Sequence, residues 1–393
     1  MKILFVAMAN SVHTARWAAQ AASAGHELHL FPSMDHGAVH PELEHVRFQN
    51  TWYERMGALD RPFVSRGVAY AARRAIARYL PHYRPRRLAR VIRALKPDVV
   101  HSLEFQSAGY LCLEAYRELG GTFPPWIATN WGSDIYLFGR LAEHREKISN
   151  LLAACRFYSC ECERDVRLAR EFGFRGEVLP VLPNSGGFDM DEVLALRAPG
   201  PSSQRREIVI KGYQHWAGRA LVALRALERC ADALHGYTVN IFSAGPEVQL
   251  AAELFSESTG VPVNIVPGGA SHRDMLALHG RARISIGLSI SDAISTSMLE
   301  ALVMGSLPIQ SRTACANEWV EDGRTGLLVP PEDPEEVELA IRRALQDDRL
   351  VDTASEQNLE MARQRLDRDV LLPKVHAFYG QVRDSLATGH GGR

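Results

Sequence analysis

Short apolar runs alternate with helical patterns along almost the whole chain, and this alternation constrains the fold more than any other feature. Strands are expected at residues 2–7, 27–31, 97–102 and 125–130, with helices near 14–24 and 107–119. Runs this short and this apolar predict parallel strands covered on both faces, joined by helical crossovers. The pattern weakens between Leu182 and Arg206, where Pro183-Asn184-Ser185-Gly186-Gly187 and Pro199-Gly200-Pro201-Ser202-Ser203 read as a linker. It then restarts. Strands are expected at 207–210, 238–242, 263–266, 284–288 and 307–310, and the helices between them centre near Leu224, Leu250, Leu276 and Leu302. Asp333-Pro334-Glu335-Glu336 opens another helix, with an aspartate cap, a first-turn proline and acids facing the positive end of the dipole. The chain therefore reads as α/β, with two tandem Rossmann-like, doubly wound domains. We expect an N-terminal domain over 1–197, a second over 198–365, and a helical tail over 366–393 that packs back on the first. Open α/β sheets bind ligands at the carboxyl ends of their strands, so the expected binding place is an interdomain cleft.

Length fits two domains at about 150–200 residues each. The composition, 46% apolar and 23% charged, is that of a globular protein with ample core. A net charge of −1 argues against a general nucleic-acid binder. No apolar run approaches the ~18–20 residues of a membrane span, and the first ten residues read as a core strand rather than a signal peptide. Six cysteines without a C-x-x-C pair suit reduced thiols in a cytoplasmic protein. Asp189-Met190-Asp191 has a metal-diphosphate spacing, but it reads better as a helix cap. His36, His40 and His45 have no second ligand cluster near them in sequence, and no Gly-x-Gly-x-x-Gly follows the first strand. No metal and no cofactor is expected.

Residues 284–302 carry the chemistry: strand, polar loop, helix. Asp292 lies in the loop and Glu300 in the following helix, with seven residues between them. The loop is small and hydroxyl-rich, so its amides can join the helix N-terminus in facing an anion. A carboxylate accepts two donors at once, which suits sugar or ribose hydroxyls. A second reading stands beside this one. Ser297-Met298-Leu299-Glu300 has the spacing of a capping box, and Asp292 can cap a turn.

Beyond this loop come Gly305-Ser306-Leu307-Pro308-Ile309 and then Glu318-Trp319-Val320-Glu321-Asp322-Gly323-Arg324-Thr325-Gly326-Leu327-Leu328-Val329. The run from Ser285 to about Ala340 resembles the C-terminal domain of glycosyltransferase family 4, retaining enzymes of the GT-B fold. Val181-Leu182-Pro183-Asn184-Ser185-Gly186 resembles that family's interdomain segment, and Gly132-Ser133-Asp134 its N-domain loop. The resemblance implies a nucleotide-sugar donor, UDP- or GDP-linked, in the second domain. Asp292 would face the donor sugar and Glu300 the ribose, with Ala293, Ile294, Ser295, Thr296 and Ser297 along the sugar and diphosphate. Asp292 stands where the family has glutamate, one methylene longer. The family's phosphate-binding Arg and Lys have their counterparts in Lys211 and Arg219, in a different order and spacing. Trp131 stands where the family often has histidine. That leaves His13, His101 or Asp134 for the acceptor side, with His13 also a candidate catalytic group and Glu104 a weaker one.

The resemblance thus implies a retaining transferase that moves a sugar to a hydroxyl acceptor in polysaccharide or glycoconjugate assembly. Two rivals share the architecture: a sugar-nucleotide epimerase or hydrolase, and a non-catalytic nucleotide-sugar-binding protein. Residues 61–96 contain no acid and many arginines, among them Arg73, Arg74, Arg78, Arg84, Arg86, Arg87, Arg90 and Arg93, with Tyr70, Tyr79, Leu80 and Tyr83 interleaved. This stretch reads as a patch for anionic lipid or a lipid-linked acceptor on the inner membrane face, or as a solvated basic helix.

Overall fold

In a computed structural model, which describes residues 1–34, 39–49, 79–80 and 82–388, the chain forms two compact units. One comprises Met1–Gly186 and the chain from Leu372 onward; the other is Gly187–Leu371. His36, Tyr70, Arg73, Arg74 and Arg78 lie outside the described residues.

The first unit is a seven-stranded parallel sheet. Its strands are β1 (Lys2–Ala7), β2 (Glu27–Pro32), β3 (Arg47–Phe48), β4 (Val99–Leu103), β5 (Trp126–Thr129), β6 (Phe157–Ser159) and β7 (Glu177–Val178), in the order β3-β2-β1-β4-β5-β6-β7. The expected strands appear within a residue or two of their predicted limits. β3, β6 and β7 do not show in the sequence because two or three residues are too few to establish a period. β4 and β5 are buried along their whole length, as a sheet covered on both faces requires.

The second unit is a six-stranded parallel sheet. β8 (Glu207–Lys211), β9 (Thr238–Phe242), β10 (Val263–Ile265), β11 (Ala282–Gly287), β12 (Leu307–Ser311) and β13 (Leu327–Val329) run in the order β10-β9-β8-β11-β12-β13. The helices Ala220–Arg229, Pro246–Thr259, His272–Arg281 and Thr296–Met304 fall on their predicted centres. Asp333 caps the Pro334–Gln346 helix through the amides of Glu335 and Glu336. Asp189 does the same for the Met190–Leu196 helix through Asp191 and Glu192, so the Asp189-Met190-Asp191 spacing is a helix start.

The boundaries differ from the expected ones. The first unit ends at Gly186, before the predicted 197, because the Met190–Leu196 helix is tied into the second unit: the Ala198 amide bonds the Gly280 carbonyl, and Arg273 pairs with Glu192 at 2.9 Å. Gly186 and Gly187 both take left-handed φ, and a Cβ on Gly187 would lie 2.7 Å from the Arg368 Cα. The chain rejoins the first unit at Leu372, inside the Arg368–Thr388 helix, rather than at 366. There the Tyr379 hydroxyl accepts from the Trp17 indole at 2.9 Å, and Arg156 donates to the Ser385 carbonyl at 2.7 Å.

Candidate active site

β8 ends on Lys211, and its ammonium reaches toward the loop that follows β11. Lys211 Nζ lies 3.6 Å from Asp292 Oδ2 and 3.4 Å from Ser295 Oγ. The other Asp292 oxygen, Oδ1, accepts the Ala293 amide at 3.0 Å. Both charged side chains are partly accessible, at 17% for Lys211 and 25% for Asp292. The pair is therefore screened and can exchange partners. Ala293, Ile294 and Ser295 are buried, so the two apolar residues offer only backbone to a ligand, while Thr296 and Ser297 are half-buried. Ser295 is the N-cap of the Thr296–Met304 helix but makes no side-chain cap bond; its hydroxyl faces Lys211 and the Ser297 hydroxyl, 3.0 Å away. The first amides of that helix have no intrahelical carbonyl to bond, which gives a helix N-terminus its affinity for anions.

Glu300 is buried and does not close a capping box with Ser297. Its carboxylate lies between two histidines of the His272–Arg281 helix: His272 Nε2 is 3.2 Å from Oε1, and His279 Nε2 is 3.8 Å from Oε2. Burial lowers the pKa of His279, against the opposing pull of Glu300. His279 Nδ1 meets the Ser285 hydroxyl at 2.8 Å, and Ser285 meets Ser306 at 2.7 Å. Sequence reasoning missed both histidines. The available signal was their spacing of seven, which places them on one face of a predicted helix.

Arg219 lies in this region but is engaged elsewhere. Its Nε donates to Glu332 at 2.8 Å, and Nη1 donates to the carbonyls of His215 and Gly218. The loop before it is bonded to the loop after β11. The Arg219 amide bonds the Leu288 carbonyl, the Ile290 amide bonds the Ala217 carbonyl, and Gly218 pairs with Ser289.

In the first unit the candidates separate. His13 lies in the first turn of the Val12–Ser23 helix, whose cap Ser11 accepts its amide, and its ring stands edge-on to Trp131 at 5.7 Å. Asp134 lies beneath: Oδ2 accepts the amides of Trp131 at 2.7 Å and Phe105 at 2.8 Å. Asp134 thus holds the loop through Oδ2. Burial, and after it the charge of Glu104, pushes its pKa well above the usual carboxylate value. Glu104 itself has φ +76°, is buried, and accepts from the Ser107 amide and hydroxyl and the Ala108 amide. Burial raises its pKa too.

The structure corrects His101. It is fully buried, and both ring nitrogens are occupied, Nδ1 by Tyr379 at 3.0 Å and Nε2 by Thr129 at 2.7 Å. Burial lowers its pKa to about 3. His101 is a neutral core residue with no nitrogen left for an acceptor.

Comparisons with known proteins bear on both units. The family model described as "Glycosyl transferase 4-like" matches residues 2–158, and the one described as "Glycosyl transferases group 1" matches residues 206–347. Among solved structures, Anabaena HepE in complex with UDP and glucose superposes with a TM-score of 0.68 at 16% identity, covering 99% of this chain and 100% of that one. Sucrose-phosphate synthase from Thermosynechococcus elongatus gives 0.69 at 15%, covering 98% and 100%. An Escherichia coli protein described as trehalose-6-phosphate bound with UDP-2-fluoro glucose gives 0.65 at 12%, covering 98% and 99%. No curated protein matches the sequence. The fold is GT-B. The chain belongs to the GT4-like, group 1 glycosyltransferases, and it is a transferase.

Proposed function

We propose that this enzyme transfers a sugar from a UDP- or GDP-sugar to a hydroxyl acceptor with retention of configuration, in polysaccharide or glycoconjugate assembly. One observation carries the reading: Lys211 spans Asp292 and the Ser295 N-cap, at the N-terminus of a helix that has no side-chain cap bond. A diphosphate there gains the ammonium and the helix N-terminus together, and Asp292 is freed toward the sugar hydroxyls. Glu300 then accepts from the ribose. As the anomeric bond breaks, negative charge grows on the diphosphate, and Lys211 with the amides of residues 293–297 stabilises it. The leaving phosphate takes the acceptor proton, so the chemistry needs neither a separate strong base nor a metal. Arg219, pinned to Glu332, adds charge and fixes the loop. His13 and Trp131 are assigned to the acceptor. That UDP or UDP-glucose is named with HepE supports a uridine donor first.

The enzyme is placed in the cytoplasm, in peripheral contact with the membrane. No helix among the described residues is long and apolar enough to cross one. The Tyr83–Leu95 helix supports this placement. Arg84 is used internally on the Pro32 and Ser33 carbonyls and Arg93 lies 3.7 Å from Glu118, but Arg87 and Arg90 line a groove of about 640 Å³ with Tyr83 and Leu95, near exposed Tyr79 and Leu80. Sedimentation with anionic and neutral vesicles tests it, since equal recovery with both would remove the membrane from the reading.

The main test is a thermal-shift screen of UDP-, GDP-, ADP- and TDP-sugars, followed by turnover with and without candidate acceptors. Acceptor-dependent release of nucleotide with a retained anomeric centre is expected. Release without any acceptor would make the enzyme a hydrolase.

A further inference from the structure

The stretch Tyr213-Gln214-His215-Trp216-Ala217-Gly218-Arg219 is an aromatic loop at the end of β8, and the proposal above gives it no part beyond Arg219. We propose that His215 is a further ligand of the donor diphosphate, acting through a neutral Nε2–H. This rests on the donor site proposed in the preceding subsection.

The loop is fixed against the loop after β11. Two backbone hydrogen bonds join it there, from the Arg219 amide to the Leu288 carbonyl and from the Ile290 amide to the Ala217 carbonyl, and together they form an antiparallel bridge at Gly218 and Ser289. Gly218 packs so closely on the Tyr213 carbonyl that no Cβ fits. Within the loop the imidazole is oriented. His215 Nδ1 accepts the Ala217 amide at 3.1 Å, so in the neutral ring the hydrogen sits on Nε2, the atom pointing away from that bond. The rings of Tyr213 and Trp216 flank it, each at 5.3 Å between centroids, and the Tyr213 ring in turn holds the Lys211 ammonium at 4.7 Å. His215 is therefore one aromatic contact from the cation that pairs with Asp292. Burial, Lys211 and Arg219 all lower its pKa, and Asp292 alone opposes them, so the ring is neutral at pH 7.

There is also a place for it to fill. A sugar diphosphate spreads charge over two phosphates, and one ammonium meets only part of that charge. The second cation of the loop, Arg219, has its guanidinium on Glu332 and two carbonyls. A neutral N–H donor beside Lys211 meets the remaining phosphate oxygen without adding a third cation to a site already holding two.

Isothermal titration of the full chain with UDP, GDP and the matching nucleosides tests this, together with long-range proton–nitrogen spectra of the histidine rings. His215→Phe is expected to weaken the diphosphate about tenfold and to leave the nucleoside unchanged. His215→Gln, which keeps an N–H donor, restores most of the loss. In the wild type the His215 Nε2 signal should move with the diphosphate and stay still with the nucleoside. If the wild type binds a nucleoside diphosphate while His215→Phe binds it equally and the ring signals do not move, His215 is a surface residue and the donor site stands. If the wild type binds no nucleoside diphosphate, both readings fall.

Discussion

The carboxyl ends of the two sheets hold similar residues in different states. In the second unit the carboxylate of Glu300 faces histidine side chains at 3.2 and 3.8 Å, and Asp292 meets the Lys211 ammonium at 3.6 Å and the Ala293 amide at 3.0 Å. In the first unit Asp134 and Glu104 accept mainly backbone amides at short range, and His101 is closed on both sides. A carboxylate paired loosely with a side chain can trade that partner for a ligand. One that satisfies buried amides cannot leave without stranding them. The second unit therefore leaves its charges able to change partners, and the first uses its own to hold the backbone at Phe105, Ser107 and Trp131.

The largest effect expected from this contrast is on stability, at Asp134. Asp134→Ala strands two buried amides and should cost on the order of 4 kcal/mol in urea unfolding. Asp134→Asn keeps an acceptor oxygen for both and should stay within about 1 kcal/mol of wild type at pH 7. A large loss in the asparagine variant would mean that the charge itself is used, and the contrast between the units would fail.

His101 gives the next effect, of opposite sign in pH to the buried carboxyls of Asp134 and Glu104. Its folded pKa of about 3 lies below the unfolded value of about 6.5, so between those limits the unfolded chain binds the extra proton and stability falls as pH falls. From pH 7 to pH 4 this costs about 3 kcal/mol. Asp134 and Glu104 have raised pKa values, and their cost appears as pH rises through the carboxylate range, so the total profile mixes both. The difference between wild type and His101→Gln isolates the histidine, and equal slopes in the two proteins would show that its burial is not what the profile reads.

Legibility follows the same division. The strand, loop and helix that carry Asp292 and Glu300 were readable because each has its own local pattern. The two-unit α/β plan was readable because each strand and crossover carries its own apolar period. His272, His279 and His215 were not, since their roles depend on elements brought together only by the sheet order β9-β8-β11-β12. His101 was misread as an acceptor group for a related reason. Nothing local shows that Tyr379, 278 residues away, closes its Nδ1. The early boundary at Gly186 was hidden because the Met190–Leu196 helix looks the same in sequence whichever unit it packs on.

At Glu300 the predicted effect is on function. Glu300→Ala should lower nucleotide affinity and turnover together, by roughly a hundredfold, the loss of hydrogen bonds to a charged acceptor. The melting temperature should change little, because the carboxylate satisfies no backbone amide in the contacts found for it. A variant with wild-type turnover would remove Glu300 from the site, and one that unfolds would place it with Asp134.

The smallest effect separates the ligand reading of Glu300 from the capping box that its spacing with Ser297 imitates. In a capping box the serine hydroxyl bonds the amide three residues on, and losing it costs about 1 kcal/mol. Here the helix starts two residues earlier than that pattern requires, Ser295 occupies the cap, and the Ser297 hydroxyl meets the Ser295 hydroxyl. Ser297→Ala should therefore shift unfolding by less than about 0.5 kcal/mol. It should weaken the nucleoside diphosphate severalfold, because the hydroxyl lies in the first helical turn beside the proposed anion. A stability loss of a full kcal/mol with unchanged affinity would restore the cap and remove the Ser297 hydroxyl from the anion site.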